Sequence, residues 1–203
     1  LVDDTDFNIW VVGGAVRDYL IGKEITDIDF VTDIEPRKMI EIIKKNGIRF
    51  DGSYLNYGTL ILNINKSNYH LTSLREDYSY DGRHSKVRFT KELSIDALRR
   101  DLTINSLYIN KKAEIIDFFN GYDDVKNSKL IFVGDIHKKC VEDYLRILRY
   151  CRFCSIFENP IIPNNYKNIL KTYSNLVKKI SHKKISIELK KIFKNEFYQN
   201  SIN

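Results

Sequence analysis

Apolar and polar positions follow two different periods along this chain, and the switch between them divides it. The front reads in short strands. Ile9–Val12 is an apolar run entering Gly13-Gly14, with a short helix predicted over 15–20. Residues 25–31, Ile-Thr-Asp-Ile-Asp-Phe-Val, carry branched and aromatic flanks and read as a strand. Residues 36–46 place Met39, Ile40, Ile42 and Ile43 on one helical face and end at Asn46-Gly47. Alternating strands follow over 58–64 and 69–74 around a polar turn at 65–68, and the polar, aromatic segment 77–84 reads as a mobile loop. A helix over 94–105, opened by a Ser94 cap, precedes a hairpin of 107–109 with 114–117.

From about Glu142 the period becomes helical. Leu145, Ile147, Leu148 and Phe153 form an apolar stripe, while Arg146, Arg149 and Arg152 recur at every third residue. Further helices fit 166–179 and 185–193, and the boundary between strand-rich front and helical rear falls within 127–141. No internal repeat is visible.

Composition adds one asymmetry. The 203 residues are 43% apolar and 30% charged with a net charge of +6, ordinary for a globular chain. Residues 1–124 hold 17 Lys/Arg against 21 Asp/Glu, and residues 125–203 hold 16 against 6. An acidic front with a basic rear suits a metal-using enzyme that acts on a polyanion. No stretch approaches the roughly 18 apolar residues of a membrane span, so no membrane partner is expected. The acidic start, Leu1-Val-Asp-Asp-Thr-Asp-Phe, lacks a signal or transit pattern. Cys140, Cys151 and Cys154 are odd in number and late in the chain, so they read as helix packing in a reducing, intracellular compartment, cytoplasm or organelle. His70, His84, His137 and His182 lack ligand spacing and read as surface or packing residues.

The chemistry concentrates at Asp27 and Asp29. Side chains at i and i+2 of a strand share a face, so two carboxylates would stand side by side. Such a pair calls for a cation, and two hard oxygens with phosphate as a further ligand suit Mg²⁺. Gly13-Gly14 just upstream lets a polyphosphate approach the backbone, with Arg17 as a fork for phosphate oxygens. Together these read as a nucleotidyl-transfer site. Asp18 reads as a local partner for a cation or cap.

Four motifs occur in order: Gly13-Gly14-Ala-Val-Arg17-Asp18, Asp27-Ile-Asp29, Arg99-Arg100-Asp101-Leu-Thr-Ile-Asn105, and Glu142-Asp143-Tyr-Leu-Arg146-Ile-Leu-Arg149-Tyr-Cys-Arg152-Phe153. In this order the chain resembles a class II tRNA nucleotidyltransferase, the CCA-adding enzymes, whose head is shared with bacterial poly(A) polymerases. Asp81-Gly-Arg-His84 and Phe119-Asn-Gly-Tyr122 resemble the eukaryotic and mitochondrial branch. The resemblance implies an α+β fold: a DNA polymerase β-like nucleotidyltransferase head with a small mixed sheet over 1–138, then an all-α neck for nucleotide recognition and RNA binding over 139–203. It implies Mg²⁺ as cofactor, and tRNA, CTP and ATP as partners.

On that resemblance, Asp27 and Asp29 hold the metal and Asp77 is a third catalytic carboxylate, with Glu76 the other candidate. Gly13, Gly14, Arg17, Arg100, Asp143, Arg146, Arg149 and Arg152 bind the nucleotide. Arg99 and Asp101 are expected to make a sugar contact and a local ion pair. Asp143 and Arg146, at i and i+3, share a face if helical. A carboxylate accepts from the amino group of C or A, and a guanidinium donates to the adjacent ring nitrogen, whereas U and G present the reverse pattern. The loop 78–87 resembles the element implicated in the change from C to A addition, which argues against a CC-only enzyme. The run 180–192 resembles the neck motif, with Lys183 and Lys184 where Glu and Arg are usual. Helical body and tail domains are expected to be absent, leaving nucleotide binding intact and unaided tRNA binding in question. A poly(A) polymerase or CC-adding enzyme, and a catalytically idle nucleotide- or RNA-binding fragment, are the alternatives.

Overall fold

Strand β1 (Ile9–Val12) turns at Gly13 into helix α1 (Gly14–Leu20), and β2 (Asp29–Thr32) returns antiparallel beside it. These elements come from a computed structural model that describes residues 7–82 and 85–201. Helix α2 (Pro36–Lys45) leads into β3 (Arg49–Asp51), β4 (Thr59–Ile64) and β5 (Ser67–Ser73). A two-stranded ribbon, β6 (Arg75–Tyr78) with β7 (Lys86–Phe89), precedes α3 (Leu93–Leu98). Strands β8 (Leu107–Ile109) and β9 (Ile115–Asp117) close the sheet, followed by α4 (Gly121–Lys126), α5 (Ile136–Glu142), α6 (Leu145–Cys154), α7 (Tyr166–Tyr173) and α8 (His182–Lys194). The expected α+β fold with a small mixed sheet and a helical rear is what the chain forms.

The seven strands run in the order β3-β4-β5-β2-β1-β8-β9, with β2 and β5 parallel and the other pairs antiparallel. Strand pleating then sorts side chains to two faces. One face, with Leu60, Leu62, Leu71 and Phe30, packs under Met39 and Ile43 of α2. The other carries an aligned row across four strands, Ile61, His70, Asp29 and Val12. There Val12 and Val31 are covered by Leu74, Ala97 and Tyr108, but the row's outer end stays open. A third cluster joins front to rear: Val16, Ile104 and Leu107 pack with Ile147, Tyr150, Phe153 and Tyr166. Burying each such side chain contributes roughly 1.5–3 kcal/mol.

Several elements differ from the sequence reading. Strand β2 starts at Asp29 rather than at 25, because its ladder partner β1 ends at Val12, opposite Asp29, and the chain then turns at Gly13. Asp27 therefore lies on the irregular approach to the strand. The expected loop at 77–84 begins as β6 and pairs with β7 from Arg75–Phe89 to Tyr78–Lys86. Its Arg83-His84 part, like the acidic run 1–6, lies outside the described residues. The helix expected over 94–105 ends at Leu98. Beyond it, Thr103 donates to Ile131 O at 3.0 Å and Val133 to Asp101 O at 2.9 Å, so tertiary pairing overrides helix propensity. Helix 166–179 stops at Tyr173 and tightens into a 3₁₀ turn over Ser174–Lys179. Cys140 and Cys154 are buried free thiols in helices, as packing requires. No helix among the described residues is long and apolar enough to cross a membrane.

Asp117, at the end of β9, accepts from the backbone N–H groups of Phe119, Gly121 and Tyr122 at 2.9–3.0 Å, satisfying donors at the start of α4. Asp117→Ala is expected to cost about 1–2 kcal/mol. The measured sign is a thermal midpoint lower by roughly 2–8 °C for a chain of this size.

Candidate active site

All the sequence-predicted site residues line one cleft of about 630 Å³ between the sheet and α6. Gly13 sits at φ +74°, a conformation that favours glycine, and a Cβ there would stand 3.5 Å from an Arg100 Nη1. The turn thus sets backbone, Arg17 and Arg100 at one edge. Arg17 donates to Asp18 at 2.8–2.9 Å and to Asn105, so Asp18 is its local partner as expected. Asp27 and Asp29 are exposed and face the same cleft.

Among the described residues no group of three His, Cys, Asp or Glu side chains could cage a metal. The donor set at Asp27 and Asp29 nonetheless fits a hard cation that keeps water and phosphate as its other ligands, which is how Mg²⁺ binds. Asp77 lines the same cleft. Its carboxylate accepts from Arg75 Nε at 3.0 Å and lies 3.9 Å from Arg99, so it is the counter-anion of two guanidiniums.

Two buried carboxylates organise the arginines. Asp96 is fully buried on α3 and bonds Arg99 at 2.8 Å and Arg100 at 2.8 Å, while the Tyr108 hydroxyl donates to it at 2.9 Å. At i+3 and i+4 from Asp96, the two adjacent arginines both reach the same anion. Burial by itself would raise the Asp96 pKa, but the attraction of Arg99 and Arg100 wins and holds it well below the usual carboxylate range. Asp101 is governed likewise: burial pushes up, and Arg149 at 2.6 Å, Asn105 and the Leu102 N–H pull it further down.

Asp143 and Arg146 lie in the cleft but not on one helix face. Asp143 is extended, between α5 and α6, where it bridges to Gly82 of the loop and accepts from Leu145 N–H at 3.0 Å to open α6. Buried Arg146 bonds Glu142 at 2.6 Å and the carbonyls of Arg99 and Lys139 at 2.9 and 3.3 Å. The helix breaks because Asp143 caps the next one instead of continuing the last. Nearby Lys139 donates to Leu98 O at 2.7 Å; burial, then Arg146, lowers its pKa to about 8.

Phe153 of α6 is ringed by cations: Arg152 at 4.5 Å, Arg17 at 5.4 Å and Arg149 at 5.8 Å from its centroid. Arg152 Nε lies 3.1 Å from Glu188 of α8, outside hydrogen-bond geometry. Burial, with repulsion from Arg149, brings the Arg152 pKa down to about 10.

Residues 9–131 match the Poly A polymerase head domain family. The chain belongs to that family. It is 42% identical over 186 residues to the mitochondrial CCA tRNA nucleotidyltransferase 1 of Homo sapiens, covering 90% of this chain and 43% of the relative. It is 31% identical to the CCA-adding enzyme of Leuconostoc citreum, covering 100% and 49%. The Bacillus stearothermophilus CCA-adding enzyme crystallised with CTP superposes with a TM-score of 0.86 at 26% identity, covering 97% of this chain and 47% of that one. A tRNA nucleotidyltransferase complexed with a primer tRNA and an incoming ATP analog gives 0.74 at 26%, covering 97% and 56%. The chain thus spans about half the length of these relatives, and the family resemblance drawn from the motifs is upheld.

Four residues in or beside the cleft escaped the sequence reading. Asp96 was signalled by its spacing to Arg99 and Arg100. Arg75 and Glu188 had no local signal. His70, whose Nδ1 is 3.0 Å from Asp29, arrives only through the parallel register of β2 and β5. Because Asp96 and Asp101 have depressed native pKa values, their stabilisation is complete above the ordinary value of 3.8 and is lost as pH falls below it. Urea unfolding is expected to show this loss in wild type. Asp96→Ala should cost about 3–5 kcal/mol at neutral pH, since it leaves Arg99 and Arg100 without their anion.

Proposed function

We propose that this chain is the catalytic and nucleotide-selecting half of a CTP(ATP):tRNA nucleotidyltransferase, adding CMP, CMP and AMP to tRNA 3′ ends without a template. The observation that carries this reading is the gathering of Asp27/Asp29, the Gly13-Gly14 turn and the Arg100–Arg146–Arg149 cations in one cleft. The CCA-adding relatives support it. Residues 1–138 serve as the catalytic head and 139–203 as the recognition neck. The mitochondrial relatives favour an intracellular setting, in an organelle or the cytoplasm.

Asp27 and Asp29 would hold Mg²⁺, which when bound supplies charge neutralisation for the triphosphate and acidity for the attacking hydroxyl. The Gly13 turn, Arg17 and Arg100 receive the phosphates, and Arg149 and Arg152 extend that cationic wall. Asp77 acts here through Arg75 and Arg99, which it holds beside the cleft. In the transfer the tRNA 3′-oxygen bonds to the α-phosphorus and its proton passes to water. The bond from that phosphorus to the β-bridging oxygen breaks, and pyrophosphate leaves with the electron pair.

Base selection falls to Asp143 and Arg146. Asp143 keeps acceptor capacity beyond its bond to Leu145, and Arg146 has more donors than its three protein bonds use. The carboxylate suits the amino group of C or A, and the guanidinium suits the neighbouring ring nitrogen.

The deciding assay offers each labelled nucleotide, with Mg²⁺, to tRNA transcripts lacking CCA, ending in C, or ending in CC. Two C additions and one A, with U and G refused, is the expected result. Long A tails point to a poly(A) polymerase, and absence of transfer to an idle nucleotide- or RNA-binding module. Asp27→Ala and Asp29→Ala, both at exposed positions, should each reduce transfer at least about a hundredfold while circular dichroism and melting stay unchanged. Asp143→Ala should cut the preference for C over U by roughly 5- to 150-fold, read from competing incorporation.

A further inference from the structure

Nucleotidyl transfer brings two partners to one pair of carboxylates, and the cationic cleft serves the triphosphate. A second cavity, of about 510 Å³, adjoins it; Asp29, Arg75, Arg99 and Arg100 border both. Its character is different. Asp29 is the sole carboxylate among its lining residues, where the first cleft also holds Asp18, Asp27 and Asp77. Its floor is the open end of the sheet, Thr59, Thr72, Ile61 and His70, with the two threonine hydroxyls 2.9 Å apart. Its wall is a pair of tyrosines, Tyr54 and Tyr57, 55% and 40% exposed.

Those rings sit on a fixed turn. Tyr54 O accepts from the N–H groups of Tyr57 at 2.9 Å and Thr59 at 3.2 Å. Arg75 donates to Tyr57 O, and its guanidinium lies 5.8 Å from the Tyr57 ring centroid. At Gly58 a Cβ would stand 2.5 Å from Phe89, so the turn lies flush on β7. The tyrosines are thus held in the open by elements packed beneath them, although rings of this size are ordinarily buried. Exposed, preordered rings beside arginines and with little competing negative charge are the combination that binds an unpaired nucleic-acid end: bases stack on the rings and phosphates meet the guanidiniums.

We propose that this cavity seats the 3′-terminal nucleotide of the acceptor RNA, its base stacked on Tyr54 or Tyr57 and its 3′-hydroxyl brought to Asp29. The proposal rests on the transfer reading above and adds to it a separate acceptor subsite, distinct from the nucleotide cleft. Arg75 is then a positioning residue, tying the tyrosine turn to Asp77 and hence to the cleft.

The test is steady-state kinetics on tRNA transcripts ending in CC and in C, comparing wild type with the Tyr54→Ala/Tyr57→Ala and Tyr54→Phe/Tyr57→Phe double variants. The alanine pair should raise the acceptor KM about tenfold or more and leave the KM for CTP unchanged. The phenylalanine pair keeps the rings and should restore the acceptor KM. An active wild type whose acceptor KM does not move in the alanine pair overturns the subsite and leaves the transfer reading standing. If wild type transfers nothing, that reading fails instead, and photocrosslinking of a transcript with a 3′-terminal 5-iodocytidine decides the subsite. Adducts at Tyr54 or Tyr57 support it; adducts elsewhere, or none, overturn it.

Discussion

Two buried carboxylates, Asp96 behind the cleft and Asp101 in its wall, are the constraint on which the site depends. Taking a charge out of water is costly, and an unpaired buried carboxylate would take up a proton instead. Each therefore demands cations from different parts of the chain. Asp96 gathers Arg99, Arg100 and the Tyr108 hydroxyl, which locks α3 to β8. Asp101 reaches across to Arg149 on α6, which fixes the helical rear against the strand-rich front. Arg146 extends the same seam by donating to the Arg99 carbonyl. The arginines that face the cleft thus stand on protein carboxylates, and those pairs set their geometry.

Sheet order supplies the other half. Because β1 ends at Val12 opposite Asp29 and turns at Gly13, the turn and the two aspartates come together at one edge of the sheet. Because β5 runs parallel to β2, the open floor of Thr72 and His70 lies next to that same edge. One strand end thereby faces two cavities of opposite composition, one crowded with charge of both signs and the other aromatic and hydroxyl-lined. Arg75, Arg99 and Arg100 form the wall that the two cavities share, so the same guanidiniums face both.

What the sequence made legible follows the range of the signal. Gly13-Gly14, Asp27-x-Asp29 and the arginines at every third residue are local patterns, and each of them reaches the cleft. Helix α2 was readable because its stripe of Met39, Ile40 and Ile43 is long and strongly periodic. The misses are where distant chain decides local shape. Residues 99–105 would continue a helix by propensity, yet they pair with 131–133, and Asp143 breaks a helix because its carboxylate caps the following one. The Asp143–Arg146 spacing thus marked two residues that do line the cleft, through a geometry the chain does not adopt. Ribbon β6–β7 was hidden because turn-forming residues at its tip dominate a short strand signal, and His70 became visible only through a parallel register that spans 41 residues.

The cluster around Phe153 shows why the cleft uses arginine. Three guanidiniums share one ring, an arrangement that like charges resist. The ring's negative faces offset part of that repulsion, and planar, weakly hydrated guanidiniums tolerate the loss of water better than compact ammonium groups. The remaining strain is visible in Arg152, whose pKa burial and its arginine neighbours bring to about 10, with Glu188 pulling the other way. Protein anions offset more of the repulsion: Asp18 pairs with Arg17 at 2.8 Å, Asp101 with Arg149 at 2.6 Å, and Glu188 lies 3.1 Å from Arg152. Three arginines can therefore crowd one ring because each has its own carboxylate, and those pairs set the geometry of the cleft wall.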